Sequence, residues 1–200
     1  VEEDREESNK DSKNAFEVNW EGTILTETEK EKLEALMTRF PEIFAKDSKD
    51  LGKTSLMHHY ARVTTEKPVH APMYRTPPPD VRKDIDRETE QLLASGVARE
   101  SQSPYSAPIV LVRKKCGGWR YCTDFRKLNK VTEKVSFPLP NIQDRLRRLK
   151  NPKVMSKMDL LKGYFQVEVA ESQKKFFGFS DGKRHLEYNR TPMGAKNSGA

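Results

Sequence analysis

Hydrophobic and polar positions along this chain follow short, changing periods, never one long repeat. Leu33, Leu36, Met37 and Phe40 recur at helical spacing and Pro41 ends the run. Ahead of them, Thr26/Glu29 and Thr28/Glu31 both have capping-box spacing. Residues 58–63 read as a short strand, and five prolines between 67 and 79 predict an extended connection. Asp80 then caps a helix with Val81, Ile85, Leu92 and Leu93 on one side, stopped by Gly96. Residues 109–114 and 119–124 alternate as strands around Cys116-Gly-Gly, which predicts a hairpin. Pro138 and Pro140 introduce a helix over 141–149 with Ile142, Leu146 and Leu149 on one face. Beyond it, residues 154–158 read as an apolar strand ending on Asp159, 160–164 as a tight turn and 165–169 as a strand. Residues 176–179 and 185–189 form a second hairpin around Ser180-Asp-Gly-Lys, and Met193-Gly194 opens a last turn, with Asn197 as a helix cap.

Composition narrows the class. The chain has 200 residues, of which 34% are hydrophobic and 34% charged, a modest core with an unusually charged surface. Its longest apolar run, 107–112, is six residues and contains Pro108, whereas a membrane helix needs about 20. No membrane partner is therefore expected. The acidic N-terminus lacks an apolar signal region, so secretion is not expected either. Two cysteines, Cys116 and Cys122, make no disulfide framework, and a reducing intracellular compartment is the default.

Charge is divided unevenly. Residues 1–100 carry 16 Lys+Arg against 22 Asp+Glu, and residues 101–200 carry 21 against 8. The second half has a strong positive field whose natural partner is a polyanion, nucleic acid or nucleotide. The plainer alternative is a solubilising surface. Val1 to Asn14, with six acids and three bases, reads as a disordered tail.

The chemistry-bearing segments are three. The glycine hairpin places Lys114, Lys115 and Arg120 around a mobile tip, where lysine offers a point charge and arginine a two-oxygen fork to phosphates. A solvated basic hairpin is the competing reading. Asp159, at the end of an apolar strand, reads either as a helix cap or as an oxygen ligand for a divalent metal, with Tyr164 across the turn at Gly163. The segment Thr191-Pro-Met-Gly-Ala is alone only a turn. Asp124 reads as structural, paired with a nearby Arg or Lys. His58, His59, His70 and His185 have no metal-ligand spacing, and neither cysteine has partners for zinc.

In order and spacing these blocks resemble the reverse transcriptases of gypsy-type LTR retrotransposons. The resemblance runs from Pro68 through Ser103-Pro-Tyr-Ser-Ala-Pro-Ile-Val-Leu-Val-Arg-Lys-Lys115, Trp119-Arg-Tyr-Cys-Thr-Asp-Phe-Arg-Lys-Leu-Asn-Lys130, Phe137-Pro-Leu-Pro140, Ser156-Lys-Met-Asp-Leu160 and Gly163-Tyr164 to Pro192-Met-Gly194. It implies an α+β fold, the fingers and partial palm of a right-hand polymerase over 67–200. A short helix and connection over 26–66 and a partly disordered acidic tail over 1–25 would precede it. The implied activity is RNA-directed DNA polymerisation within a Pol polyprotein, on an RNA or DNA template-primer, with Mg²⁺ and dNTPs, inside the cell or a virus-like particle.

The resemblance also implies residue roles. Asp159 would be the first metal-binding carboxylate, helped by the backbone carbonyl of Leu160. Lys114 and Arg120 would grip the triphosphate, Tyr164 would lie under the sugar and exclude a 2′ hydroxyl, and Met193 and Gly194 would pack near the nucleotide. The family's second carboxylate pair, in a Tyr-x-Asp-Asp hairpin, does not occur in these 200 residues, and Asp181 sits on a surface-type turn that cannot replace it. Lys162 stands where a small residue is usual, and Thr191-Pro-Met-Gly-Ala replaces Met-Pro-Phe-Gly-Leu. The segment is thus expected to be inactive alone. The alternatives are a non-catalytic nucleic-acid-binding remnant or, resting on residues 1–60, a host-adopted interaction protein.

Overall fold

The computed structural model describes residues 18–47, 50–74, 77–113, 119–138 and 140–199. The chain divides into two compact units, Val1–Leu51 and Gly52–Ala200. In the first, α1 (Glu27–Thr38) starts on the expected capping box, with Thr26 accepting from the Glu29 amide and the Glu29 carboxylate accepting from the Thr26 amide at 2.8 Å. The Thr26 amide bond holds the Glu29 carboxyl below its ordinary range. The expected disordered tail lies mostly outside the described residues.

The second unit runs β1 (Thr54–His59), α2 (Pro79–Ala94), β2 (Ala98–Glu100), β3 (Ala107–Arg113), β4 (Trp119–Thr123), α3 (Arg126–Lys130), α4 (Ile142–Arg148), β5 (Val167–Val169), β6 (Gly178–Ser180) and β7 (His185–Tyr188). Two 3₁₀ segments, Gly163–Gln166 and Glu171–Phe177, flank β5. The main sheet has the order β2-β7-β6-β3-β4, and β1 pairs in parallel with β5 apart from it. The β3–β4 hairpin is antiparallel with Arg113 opposite Trp119 and Val112 opposite Arg120. The expected glycine turn at 114–118 lies outside the described residues.

Aromatic and aliphatic side chains of Phe125, Val169, Phe177, Phe179, Leu186 and Tyr188 fill the core, joined by Ile85 of α2 and by Val97 just after it. Phe179 and Tyr188 stack at 4.5 Å, and the Tyr188 hydroxyl pairs with Thr123 Oγ1 at 2.9 Å. Burial pushes the Tyr188 phenol up to about 12. Helix α2 ends on Gly96 at φ +66°, where the Gly96 amide donates to Leu93 and the Val97 amide to Leu92. That double closure is a Schellman stop, and it puts Val97 into the core.

Several expectations are corrected. Helix α2 begins two residues early, at Pro79, with Pro78 at its boundary and no side-chain cap, so Asp80 lies in the first turn. Proline at the first helical position needs no amide partner. The first strand is Thr54–His59, and Val63 makes only an isolated bridge to Thr132. Residues 154–158 form no ladder among the described residues, and Met155 and Met158 are exposed, because a strand needs a neighbour for its amides and carbonyls. Phe165, Phe176 and Phe177 sit in 3₁₀ turns, which shortens β5 and β6 to three residues each. Asp181 is fully buried where a surface turn was expected. Its Oδ1 accepts from the Lys183 and Arg184 amides at 2.8 and 2.7 Å, and Arg184 Nε pairs with Oδ2 at 3.2 Å. Arg82 reaches its backbone carbonyl from α2. Among the described residues no helix is long and apolar enough to cross a membrane.

Candidate nucleotide and nucleic-acid site

Three segments meet at the turn 191–199. The first carries Asp159, Leu160 and Tyr164. After Asp159 the chain turns through Lys162 in the left-handed region, φ 44°, and enters Gly163–Gln166. A side chain on Gly163 would press on Leu160, 3.2 Å from its Cβ, so the glycine lets the turn close tightly. The Thr191 amide and hydroxyl both donate to the Val167 carbonyl, at 2.8 and 3.1 Å. The Tyr164 hydroxyl lies 3.5 Å from where a Gly199 Cβ would stand. Tyr164 and Met193 are about half exposed, and Leu160 is open to solvent.

The second segment is the β3–β4 hairpin and the helix after it. Arg120 is exposed on β4 and forms no ion pair among the described residues, while Lys114 lies outside them. Arg113 lies over the Trp119 ring at 5.9 Å. The Thr123 carbonyl stands 4.0 Å from where a Gly194 Cβ would be, which brings the end of β4 against the turn.

The third is a lacing of α3 and the loop after it onto that turn. Asn129 Nδ2 donates to the Gly194 carbonyl at 2.9 Å, and its Oδ1 accepts from the Lys196 amide at 2.8 Å. Lys196 Nζ donates to the carbonyls of Asn129 at 3.0 Å and Thr132 at 2.5 Å. Asn197, expected as a helix cap, instead donates to the Glu133 carbonyl at 2.8 Å and accepts from the Val135 amide at 3.0 Å. Its φ is +70°, and Gly194 has φ +84°. Beside this seam lies a groove of about 690 Å³ bounded by Lys134, Val135, Phe137, Pro138, Lys196 and Asn197. Sequence reasoning gave Asn129 and Lys196 no role, since nothing local marks a side chain that bonds backbone some 65 residues away.

Acid placement separates Asp159 from its neighbours. Of the acids in residues 101–200, Asp124, Asp144, Glu168, Glu171, Asp181 and Glu187 all sit in ion pairs. Glu133 and Asp159 do not, among the described residues. Asp159 caps no helix either, since the 3₁₀ segment starts at Lys162 without a side-chain cap. Asp124 meets its structural reading. Arg126 grips it at 2.7 and 2.9 Å, Tyr74 donates to it, and Arg126 also donates to the Tyr74 hydroxyl at 2.9 Å. The Arg126 guanidinium, with Tyr74 behind it, holds the Asp124 carboxyl well below the usual range. Among the described residues no group of three His, Cys, Asp or Glu is placed to hold a metal.

The fold is that of the reverse transcriptase hand. The chain superposes on the crystal structure of Prototype Foamy Virus protease-reverse transcriptase with a TM-score of 0.78 at 22% identity, over 88% of this chain and 24% of that one. It also superposes on the foamy viral protease-reverse transcriptase in complex with RNA/DNA hybrid, with a TM-score of 0.74 at 20% identity, over 88% and 24%. Residues 112–200 match the family model for reverse transcriptase (RNA-dependent DNA polymerase). Among curated proteins, the Pol polyprotein from transposon opus of Drosophila melanogaster is 33% identical over 175 residues, covering 85% of this chain and 17% of the relative. That from transposon 412 of the same fly is 31% identical over 173 residues, 84% of this chain and 14% of the relative. Residues 112–200 are thus similar to the reverse transcriptase family, and both of these relatives are retrovirus-related Pol polyproteins of transposons. The chain spans less than a fifth of the length of either relative.

Proposed function

We propose that this segment supplies the fingers cations and the first metal-binding carboxylate of an RNA-directed DNA polymerase. The reaction joins a dNTP to a primer 3′ hydroxyl on an RNA or DNA template and releases pyrophosphate. The observation that carries the reading is Asp159, an exposed carboxylate in no ion pair among the described residues, in a basic half-chain whose other acids are nearly all paired.

Asp159 and the Leu160 carbonyl offer oxygen donors of the kind Mg²⁺ takes, on one side of a coordination shell. They fit the ion in kind. When bound, such ions stabilise the charge on the attacking and leaving oxygens. The chain's own residues do the positioning. Arg120 and Lys114 meet the triphosphate oxygens as fork and point charge. The Tyr164 ring fills the space a 2′ hydroxyl would need, and Met193 and Gly194 border the nucleotide. The rest of a Pol polyprotein is the partner that would complete the palm.

The test is primer extension with Mg²⁺ and dNTPs by a Pol chain carrying this sequence, beside Asp159→Asn. The amide keeps the shape and removes the charge. Extension by the parent and none by the variant, with template-primer affinity unchanged, is the expected result. Equal extension by both would remove Asp159 from the mechanism. The 200 residues alone should not extend a primer, because one carboxylate cannot hold two ions about 3.5–4 Å apart.

A further inference from the structure

We propose that Lys196 and Asn129 are positioning residues for nucleotide use, fixing the Met193–Gly194 turn in register with the fingers. This rests on the reading of that turn as the border of the nucleotide site.

A lysine normally extends its stem along the surface and leaves its ammonium in water. Lys196 is only partly exposed, and its ammonium is spent on two backbone carbonyls, Asn129 O and Thr132 O. Both lie where α3 ends, the place where unpaired carbonyls and the negative end of the helix dipole favour a cation. Asn129 works in the opposite direction, and its one amide group brackets Gly194 and Lys196 through a donor and an acceptor. Asn197 adds two further bonds to Glu133 and Val135.

The turn these bonds hold contains two left-handed positions, Gly194 and Asn197. Asn tolerates that region but does not choose it strongly. The turn is therefore held by the seam, and a conformation over-determined in this way is what a precise border requires. Arg120 on β4 and the turn are bound into one unit through α3, so a cation on the fingers and the border of the site keep a fixed relation.

If the turn is competent in only a fraction of molecules, apparent affinity falls by that fraction. Lys196→Met keeps the stem and removes every donor. In a Pol chain carrying this sequence it should raise the KM for dNTP about tenfold. The kcat at saturating dNTP and the template-primer Kd should stay within about twofold. Lys196→Arg, whose fork also reaches two carbonyls, should recover most of the loss. In the 200-residue chain, hydrogen exchange should quicken at the Lys196 and Val135 amides in Lys196→Met while the β3–β4 amides stay unchanged.

An unchanged KM in Lys196→Met, or equal losses in KM, kcat and template binding, overturns the positioning role. A Pol chain with the natural Lys196 that extends no primer overturns the polymerase reading and this inference with it. An active parent with an indifferent Lys196→Met overturns this inference alone.

Discussion

Gly178 is the position where the main sheet tolerates no side chain at all. A Cβ there would stand 2.1 Å from the Tyr105 carbonyl oxygen and 3.3 Å from Ser103 Oγ. The backbone at Gly178 is φ −63°, ψ 140°, which any residue adopts, so the constraint is space alone. In Gly178→Ala the separation must grow from 2.1 Å to the 3.4 Å of ordinary contact, a shift of about 1.3 Å. The atom it meets is backbone, which cannot rotate aside. The pairing of β3 with β6 spans only Ala107–Phe179 and Pro108–Ser180, so such a shift would break it. Overpacking at the upper end of its range, about 3 kcal/mol, plus a net ~1 kcal/mol for one lost ladder bond, gives about 4 kcal/mol. That is a large share of the ~5–15 kcal/mol that holds a domain together. Urea denaturation followed by far-UV circular dichroism should show the midpoint collapse in Gly178→Ala. Gly96→Ala is the control. It has nothing within 4 Å but sits at φ +66°, so it pays only the left-handed cost of about 1–2 kcal/mol. A Gly178→Ala chain as stable as Gly96→Ala would refute the argument from close approach.

Three other outcomes follow from the same geometry. Asp124→Asn removes the carboxylate shared by Arg126 and Tyr74, and should cost on the order of 1 kcal/mol at neutral pH because Arg126 is open to solvent and screened. The Asp124 carboxyl is depressed in the folded chain, so its contribution is present above the unfolded value of about 3.9 and lost as pH falls below it. Denaturation at pH 7 and near pH 3 should therefore show the gap between parent and variant narrowing in acid, and a widening gap would contradict the sign. Fluorescence anisotropy should find that the 200-residue chain binds single-stranded or hybrid nucleic acid with little sequence preference and an affinity that falls steeply with salt, and salt-independent binding would count against the basic half as the interface. In an active Pol chain, Tyr164→Ala should raise ribonucleotide incorporation relative to deoxynucleotide, and an unchanged ratio would return Tyr164 to a packing role.

What the sequence made legible was whatever local rules decide. The capping box at Thr26, the glycine stop at Gly96, the pairing of β3 with β4 and a helix close to the expected 141–149 follow from spacing and local chemistry, and the structure has them. What it hid depends on distant partners. Alternation at Phe165, Val167 and Val169 looks like one strand, yet only residues 167–169 find a neighbour, in β1. Residues 154–158 have strand composition and no ladder, since pairing is decided by another segment. Asp181 reads as a turn acid because Ser-Asp-Gly-Lys is a turn. Its burial comes from Arg82, 99 residues earlier on α2. In the candidate site, Asp159 and Tyr164 are proposed from the order of the motifs, whereas Asn129 and Lys196 carry no local mark.

The placement of acids ties the charge pattern to the site. A half-chain with 21 cations and 8 acids can hold its acids cheaply, because each finds a lysine or arginine within reach. Six of them do so, and several of those pairs tie elements together: Arg99 joins Glu187 to Glu171, Arg184 joins Asp181 to Glu90 on α2, and Lys53, just before β1, reaches Glu168 on β5. Pairing spends one cation or more on each acid, yet a large positive excess remains for a polyanion. Against that background an exposed carboxylate with no partner is the exception that calls for a cause. Glu133, the other acid in no ion pair among the described residues, lies in the loop whose backbone is bonded by Asn197. Asp159 stands instead at the entry to the tight turn that leads to Tyr164, in no ion pair among the described residues. A carboxylate in no ion pair among the described residues, in so basic a half-chain, is available to an external cation, which is what the proposed polymerase role asks of it.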